Sequence, residues 1–554
     1  MKFRNIAMRI AAVVIATAAV LCAEAQNRDK AGDRETGGDS NRRFESVQQQ
    51  RKLLSVYNYL NSIYVDRTDM APLVEKAIKS MIEELDPHSS YIPAEDMKGV
   101  REQLDGEFSG IGVEFNMYRD TILVVNVVAG APAESVGIRP NDRIVAIDGE
   151  DAIGISRSDV TKKLRGKTGT KVAVDVVRHG TDGRLEFTIV RGKIPINTVD
   201  AFYLIDKNTG YIKVNRFSYT TMNEFEQAVK DMGGIKSLIV DLRGNGGGIM
   251  DQAVKMSEFF LPSGSLIVST EGANVASQQI ESRHNGKFVK GNAVILIDGS
   301  SASASEIFSG AMQDWDRAVI IGSPSYGKGL VQRQMMLPDS SAVRITIARY
   351  HTPTGRVIQR PYEKGKREEY FEAHRERLAN GSADSPADGE RPEYKTLRNG
   401  RTVYGGGGIT PDIIIAPDTT MVTDCVVKLT AKGLIIESLY NYLDRSREEL
   451  SAEYRTFDKF ESEFEVSPQL IGEILAAGAE QGIDCGDEER ADTERFIKRL
   501  VKGYVARMLF SNNEYWRIMN ESGDPVYRKA VEIIGDADKM KELLSADNQT
   551  RREN

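Results

Sequence analysis

Cysteine and histidine are scarce in this 554-residue chain. Its three cysteines, Cys22, Cys425 and Cys485, are too few for a disulfide framework, and no pattern around Cys425 or Cys485 suggests a thiol nucleophile. Five histidines, His88, His179, His284, His351 and His374, restrict histidine-based catalysis, and an H-E-x-x-H metalloprotease helix is missing. Neither sign of charge dominates: 73 Lys plus Arg stand against 81 Asp plus Glu, a formal charge of −8, which gives no global attraction to nucleic acid. With 40% hydrophobic and 28% charged residues, the chain is neither collagen-like nor wholly disordered. At ~100–200 residues per domain, its length predicts three or four domains.

Long apolar runs are also lacking, apart from one at the N-terminus. Lys2, Arg4 and Arg9 precede an apolar stretch from Ile10 to Cys22, and Ala23-Glu24-Ala25 places small residues at −3 and −1 of a cleavage site. A basic start, a short apolar core and an A-x-A end form a secretory signal peptide over residues 1–25. The apolar stretch is short for ~30 Å of hydrocarbon, so membrane association is expected only if the signal stays uncleaved or is lipidated. Leu21 stands where a lipid-attachment site wants a small residue, which argues against lipidation at Cys22. The expected compartment is the periplasm or another exported location. There Cys425 and Cys485 can pair, although nothing in the sequence requires it.

Residues 26–43 read as a disordered polar leader. Residues 44–97 read as helical: Val74, Ala77, Ile78, Met81, Ile82 and Leu85 follow an i, i+3, i+4 stripe that Asp86-Pro87-His88 stops. Residues 98–192 carry short strands and turns, the size of one small domain. Over residues 193–418 strands alternate with helices, predicting an α/β layer structure interrupted by a polar surface insertion at about 363–401. Residues 419–554 are helical, with Phe496, Ile497, Leu500, Val501, Tyr504, Val505, Met508 and Leu509 forming an amphipathic stripe.

Three glycine or serine clusters can carry chemistry. Gly322 to Gly329 nearly fits a phosphate-binding loop, but Gly329 stands where Ser or Thr is needed and a strand follows instead of a helix. Asp241-Leu-Arg-Gly-Asn-Gly-Gly-Gly248 ends a strand ahead of a helix, so its backbone N–H groups can face a site and hold an oxyanion. A tight strand-to-helix turn is the simpler reading of that cluster taken alone. Asp298 to Glu306 places Ser303 at a strand's carboxyl end, where open α/β sheets build sites, while Ser303-x-x-Glu306 equally fits a helix capping box. His284 and His351 are the histidines that fall in the core region, and neither has an evident partner. A Ser-Lys pair is the remaining option for activating a serine. Lys328, flanked by Gly327 and Gly329, can serve only if burial brings its pKa down from ~10.4; a solvated surface charge is the ordinary reading of one lysine.

Ser303-Ala-Ser-Glu306, Tyr326-Gly-Lys-Gly-Leu-Val-Gln332, the Asp241–Gly248 run and Gly405-Gly-Gly-Gly-Ile-Thr-Pro-Asp412 together resemble the C-terminal processing (tail-specific) peptidases. The resemblance implies an α/β, crotonase/ClpP-like serine peptidase core that needs neither metal nor cofactor. It implies Ser303 as nucleophile, Lys328 as general base and Gln332 as the residue that positions the lysine. Four residues along a straight strand span ~13 Å, so contact between Lys328 and Gln332 requires a curled backbone or an indirect role. The Ala304 N–H, with one from Gly246 or Gly247, is implied as the oxyanion hole, and Glu306 reads as helix-capping support, with a catalytic part as the secondary reading.

Leu104 to Val113, with Gly130-Ala-Pro-Ala-Glu134 and Gly137 to Asp142, resembles a PDZ module. Gly110, Ile111, Gly112 and Val113 would form its carboxylate-binding loop, capturing a substrate's C-terminal tail as an added β-strand, with Ile111 and Val113 suited to an apolar tail. The expected partners are therefore protein C-termini. The helical end can assemble a homo-oligomer, dock an adaptor or be a packed lid without function of its own. The competing readings are a PDZ scaffold that only binds tails, and a PDZ-bearing Ser-His-Asp protease using His284 or His351.

Overall fold

The computed structural model describes residues 36–118, 120–178, 180–379, 391–416, 418, 420–545 and 551–553. The signal peptide, residues 26–35 of the leader, His179 and the middle of the polar insertion lie outside them. The chain divides into two units, Met1–Ile78 and Lys79–Asn554. In the first, a helix runs over Thr36–Ile63, so it begins inside the stretch read as a disordered leader. The next helix, Met70–Glu83, spans the division and carries the apolar stripe as far as Ile82, the one residue of the helix that is buried; Leu85 lies beyond its end. The region read as helical to residue 97 contains a short strand, Ser90–Ile92, before the helix Met97–Asp105.

The α/β region is built on a mostly parallel sheet. Its strand order is Val199–Asp206, Thr209–Val214, Ser237–Asp241, Asn292–Ile297, Val319–Gly322, Ile413–Ile415 and Arg551–Glu553, and only the first pair is antiparallel. Its central strands, Ser237–Asp241, Asn292–Ile297 and Val319–Gly322, are buried almost throughout, as a sheet covered on two faces requires. Leu238, Val240, Ile295, Ile297 and Ile320 face a core shared with helices Met250–Phe260 and Ala304–Asp314. Ile239, Val294, Leu296, Val319 and Ile321 face the opposite way, onto Val526, Tyr527, Ala530 and Ile533 of the helix Pro525–Ile534. The end of the chain, read as part of a separate helical region, thus completes the core. An antiparallel sheet joins Ser90–Ile92, Ala342–His351, Leu266–Gly272 and Val275–Glu281, with Leu330–Met336 also paired to Ala342–His351.

The small domain is an antiparallel sheet in the order Val113–Tyr118, Thr121–Val127, Arg143–Ile147, Lys171–Val177 and Leu185–Val190. Its first strand is an edge strand. Val113, Phe115 and Met117 pack on the domain's own core. The alternate residues turn outward, where Glu114 pairs with Arg507 at 2.8 Å and Tyr118 hydrogen-bonds Asn441. Arg507 and Asn441 belong to a helical domain over Asp424–Leu509 with its own apolar core, stapled by a Cys425–Cys485 disulfide. Arg143–Asp444 at 2.5 Å and Arg447 to the Pro140 carbonyl at 2.9 Å complete this contact.

Candidate active site

Three loops converge at the carboxyl ends of the parallel strands, the position where open α/β sheets leave room for a site. Ser303 joins the strand Asn292–Ile297 to the helix Ala304–Asp314 with φ of +55°, a conformation unusual for a residue with a side chain. The neighbouring loop holds it there. The buried Asn245 accepts the Ala302 N–H through its carbonyl at 3.0 Å and the Ser305 hydroxyl at 2.9 Å, and its own amide donates to the Val214 carbonyl. Ser301 Oγ donates to the Leu242 carbonyl at 2.8 Å, and the Gly244 N–H reaches the Asp298 carboxylate at 3.0 Å.

Gly247 lies directly against Ser303. A Cβ on it would stand 2.5 Å from the Ala302 carbonyl oxygen and 2.9 Å from both the Ala304 nitrogen and the Ser303 Cβ, and its φ is +93°. Its N–H, however, donates to Asn245 Oδ1 at 2.9 Å. Of the two glycines considered for the oxyanion hole, Gly246 is therefore the one whose N–H has no partner among the described residues; the Ala304 N–H, first of its helix, also has none there.

Glu306 is more than a cap. Fully buried, its carboxylate accepts the Ser303 N–H (2.8 Å) and the Lys328 N–H (2.9 Å) on Oε2, and the Ser325 hydroxyl and Gly327 N–H (both 2.6 Å) on Oε1. One side chain thus ties the Ser303 turn to the Lys328 turn. Burial raises its pKa, while these four donors oppose the rise. The glycine run before Asp412 closes behind the same turn, with the Ile409 N–H donating to Ser325 Oγ at 2.6 Å.

Lys328 Nζ donates to Gln332 Oε1 at 2.9 Å. The contact is direct although four residues of straight strand would separate the pair. The strand begins only at Leu330, and its register shifts between Val331 and Gln332. Burial is the main cause that lowers the Lys328 pKa, with the positive charge of Arg344 adding to it; Glu306 and Asp86 work the other way.

The histidines fall differently from the sequence reading. His351 bonds the Gly355 carbonyl and lies 3.6 Å from Glu271. His88, ahead of the small domain, and His374, in the polar insertion, pack around Tyr326, with ring centroids 5.9 and 4.3 Å away. Desolvation, with the charge of Lys328 adding to it, holds His88 down to about 3, so it is neutral at ordinary pH. Among the described residues no histidine hydrogen-bonds Ser303. The insertion contributes a helix, Arg367–Ala379, whose Tyr370 and His374 are buried, so this part of it is more than a surface excursion. Asn245, His88 and the linking role of Glu306 were missed: no spacing joins Asn245 to the serine, and Asp86-Pro87-His88 reads locally as a helix stop.

In the small domain the Ile111 carbonyl accepts the Ala133 N–H and the Gly112 carbonyl the Val128 N–H, while the N–H groups of Ile111 and Gly112 have no partner among the described residues. Gly110 lies in a strand paired with Gly192. Ile111 is buried in the domain's own core, and Val113, on the edge strand, is half-buried.

A PDZ module beside this α/β core defines a PDZ-bearing serine peptidase. The model of peptidase family S41 matches residues 208–364 and that of the PDZ domain residues 109–189. The activating protease CtpB N-terminal domain matches residues 11–96, and a family of unknown function residues 425–511. A carboxy-terminal-processing protease of Bartonella bacilliformis is 35% identical over 58% of this chain and 75% of its own length. The carboxy-terminal processing protease CtpA of Bacillus subtilis is 36% identical over 56% of this chain and 66% of its own. Among solved structures, the photosystem II D1 C-terminal processing protease is 28% identical, covering 54% of this chain and 81% of that one with a TM-score of 0.32. The chain belongs to the carboxy-terminal-processing proteases of peptidase family S41.

Proposed function

We propose that this chain is an exported serine endopeptidase in which Lys328 activates Ser303 and the PDZ module receives the C-terminal tails of protein substrates. The observation that carries the reading is the pair of hydrogen bonds from the Ser303 and Lys328 backbones to one oxygen of Glu306. These bonds bring the backbone of a lysine of lowered pKa close to that of a serine on a strained turn, which supports pairing the two.

Neutral Lys328 takes the Ser303 hydroxyl proton as Oγ attacks the substrate's peptide carbonyl. The N–H groups of Ala304 and Gly246 receive the oxyanion. The tetrahedral intermediate collapses, the C–N bond breaks, and the Lys328 ammonium returns its proton to the leaving amine. Water, deprotonated by Lys328, then attacks the acyl-enzyme ester; the C–O bond to Ser303 breaks, the Lys328 ammonium returns that proton to Ser303 Oγ, and the new carboxyl group leaves. Upstream, the free N–H groups of Ile111 and Gly112 suit a terminal carboxylate, and the edge strand Val113–Tyr118 suits an added strand. The basic, apolar, A-x-A leader supports export.

The test is labelling by a fluorophosphonate together with cleavage of a protein ending in an apolar tail. Ser303→Ala and Lys328→Ala are each expected to abolish both, and Ser303→Ala to leave tail binding by the PDZ module intact. Undiminished cleavage by either variant would refute the assignment, and loss of activity in His284→Ala or His351→Ala would favour a histidine base.

A further inference from the structure

The Asp86–Ser89 turn reaches the active site from far outside the peptidase sequence. Asp86 is buried, and its Oδ1 accepts the N–H groups of His88 and Ser89 at 2.8 and 2.9 Å. Its Oδ2 accepts the Ser89 hydroxyl at 2.5 Å. Ser89 Oγ in turn accepts the Thr346 N–H at 3.0 Å. Thr346 is the register partner of Gln332 on the neighbouring strand. The turn is therefore stapled to the residue opposite Gln332, and from there the His88 carbonyl accepts Gln332 Nε2 at 2.6 Å.

We propose that the Asp86–Ser89 turn is a positioning device for the base: it fixes which way the Gln332 amide faces, and through it where the Lys328 lone pair points. This rests on the Ser303–Lys328 reading above. A glutamine amide has two ends, a donor and an acceptor. With the nitrogen committed to the His88 carbonyl, the oxygen faces Lys328 Nζ and takes one of its hydrogens. A neutral amine held by one N–H keeps its lone pair in the remaining tetrahedral directions, free to receive a proton. A flipped amide would offer its NH₂ to that lone pair and occupy it. Asp86 and Ser89 act through Gln332 and need not touch substrate.

The charged and titratable groups around Lys328 are Arg344, Glu306 and Asp86, with the neutral His88 beside them. Ser89→Ala leaves all of them in place and removes only the staple; Asp86→Ala removes the staple and a negative charge. The readout is the rate at which a fluorophosphonate labels Ser303 in the full chain, followed across pH, so no natural substrate is needed. Ser89→Ala and Asp86→Ala are expected to slow labelling, up to on the order of 10²-fold, as misplacement of a catalytic group does. Their rising limb is expected at lower pH, because an acceptor on Lys328 favours its ammonium form and its loss does the opposite. Combining either change with Gln332→Ala should be no slower than Gln332→Ala alone.

Multiplying losses in the double variants would overturn the proposal. So would a limb that moves to higher pH, the signature of water entering a loosened site. Should Asp86→Ala fail to fold, Ser89→Ala carries the comparison. Ser303→Ala separates the two readings: if it still labels at the parental rate, the nucleophile assignment has failed. If it is silent while the turn variants behave independently of Gln332, only the positioning role has failed.

Discussion

Ser303 and Lys328, twenty-five positions apart in the chain, donate their backbone N–H groups to the same oxygen of Glu306. The two nitrogens can be no farther apart than the two hydrogen bonds laid end to end. A buried carboxylate accepting four donors is held rigidly, because moving any one of them leaves a buried charge short of a partner. Glu306→Gln places an NH₂ among converging donors. It is expected to destabilise the protein by about 3 kcal/mol, read by urea unfolding, and to slow fluorophosphonate labelling on the order of 10²-fold. Parental values of both would show that the carboxylate does not join the two turns.

Gly246 and Gly247 are adjacent but predict opposite outcomes. Nothing lies within 4 Å of a Cβ added at Gly246, whereas one at Gly247 meets Ala302, Ser303 and Ala304 below 3.0 Å in a left-handed conformation. Gly246→Ala keeps its N–H and should retain activity within a few-fold. Gly247→Ala must displace the serine's turn, and should lose at least on the order of 10²-fold. Labelling rates of the two folded variants decide it. Equal sensitivity would argue against Gly247 as the glycine that seats Ser303.

The apolar strands and glycine clusters of the core were legible because their signals are local: Ser237–Asp241 and Asn292–Ile297 are short buried runs followed by turn residues. Ser303, Lys328 and Gln332 stand out only in combination, through family resemblance. What could not be read was pairing over distance. An amphipathic helix such as Pro525–Ile534 announces that one face is buried without saying which sheet will cover it. The Gln332 amide and the His88 carbonyl are 244 positions apart, and the acceptor is a backbone atom with no residue signature. Glu306 was read as a cap because the capping contact is local, while its bonds to Ser325, Gly327 and Lys328 depend on the fold.

Arg344 offers a pH test with a defined sign. It lies on the strand paired with the one carrying Gln332, and its guanidinium bonds Gln334 Oε1 at 3.0 Å. A cation near Lys328 disfavours the ammonium form, so Arg344 and burial push the amine's pKa in the same downward direction. Arg344→Met should raise that pKa and carry the rising limb of the pH–labelling profile to higher pH. Below the midpoint, each unit of movement reduces the neutral amine tenfold. A limb that stays in place or moves to lower pH would show that Lys328 does not sense this charge.

The Cys425–Cys485 disulfide tests how far the helical domain depends on an oxidising compartment. It closes a loop of 60 positions around that domain's apolar core. In the chain-entropy account a cross-link over that span restricts the unfolded ensemble by about 4 kcal/mol, an upper figure when the native site is strained or the unfolded chain is structured. Reduction, or the double change C425S and C485S, is therefore expected to lower the domain's unfolding free energy by about 2–4 kcal/mol. Because this domain grips the PDZ edge strand through Arg507–Glu114 and Asn441–Tyr118, the loss should appear first as faster amide exchange in Asp424–Leu509 and along Val113–Tyr118. The parallel sheet under Ser303 should exchange as before. Uniform destabilisation of the whole chain would instead mean that the helical domain and the peptidase core unfold as one cooperative unit.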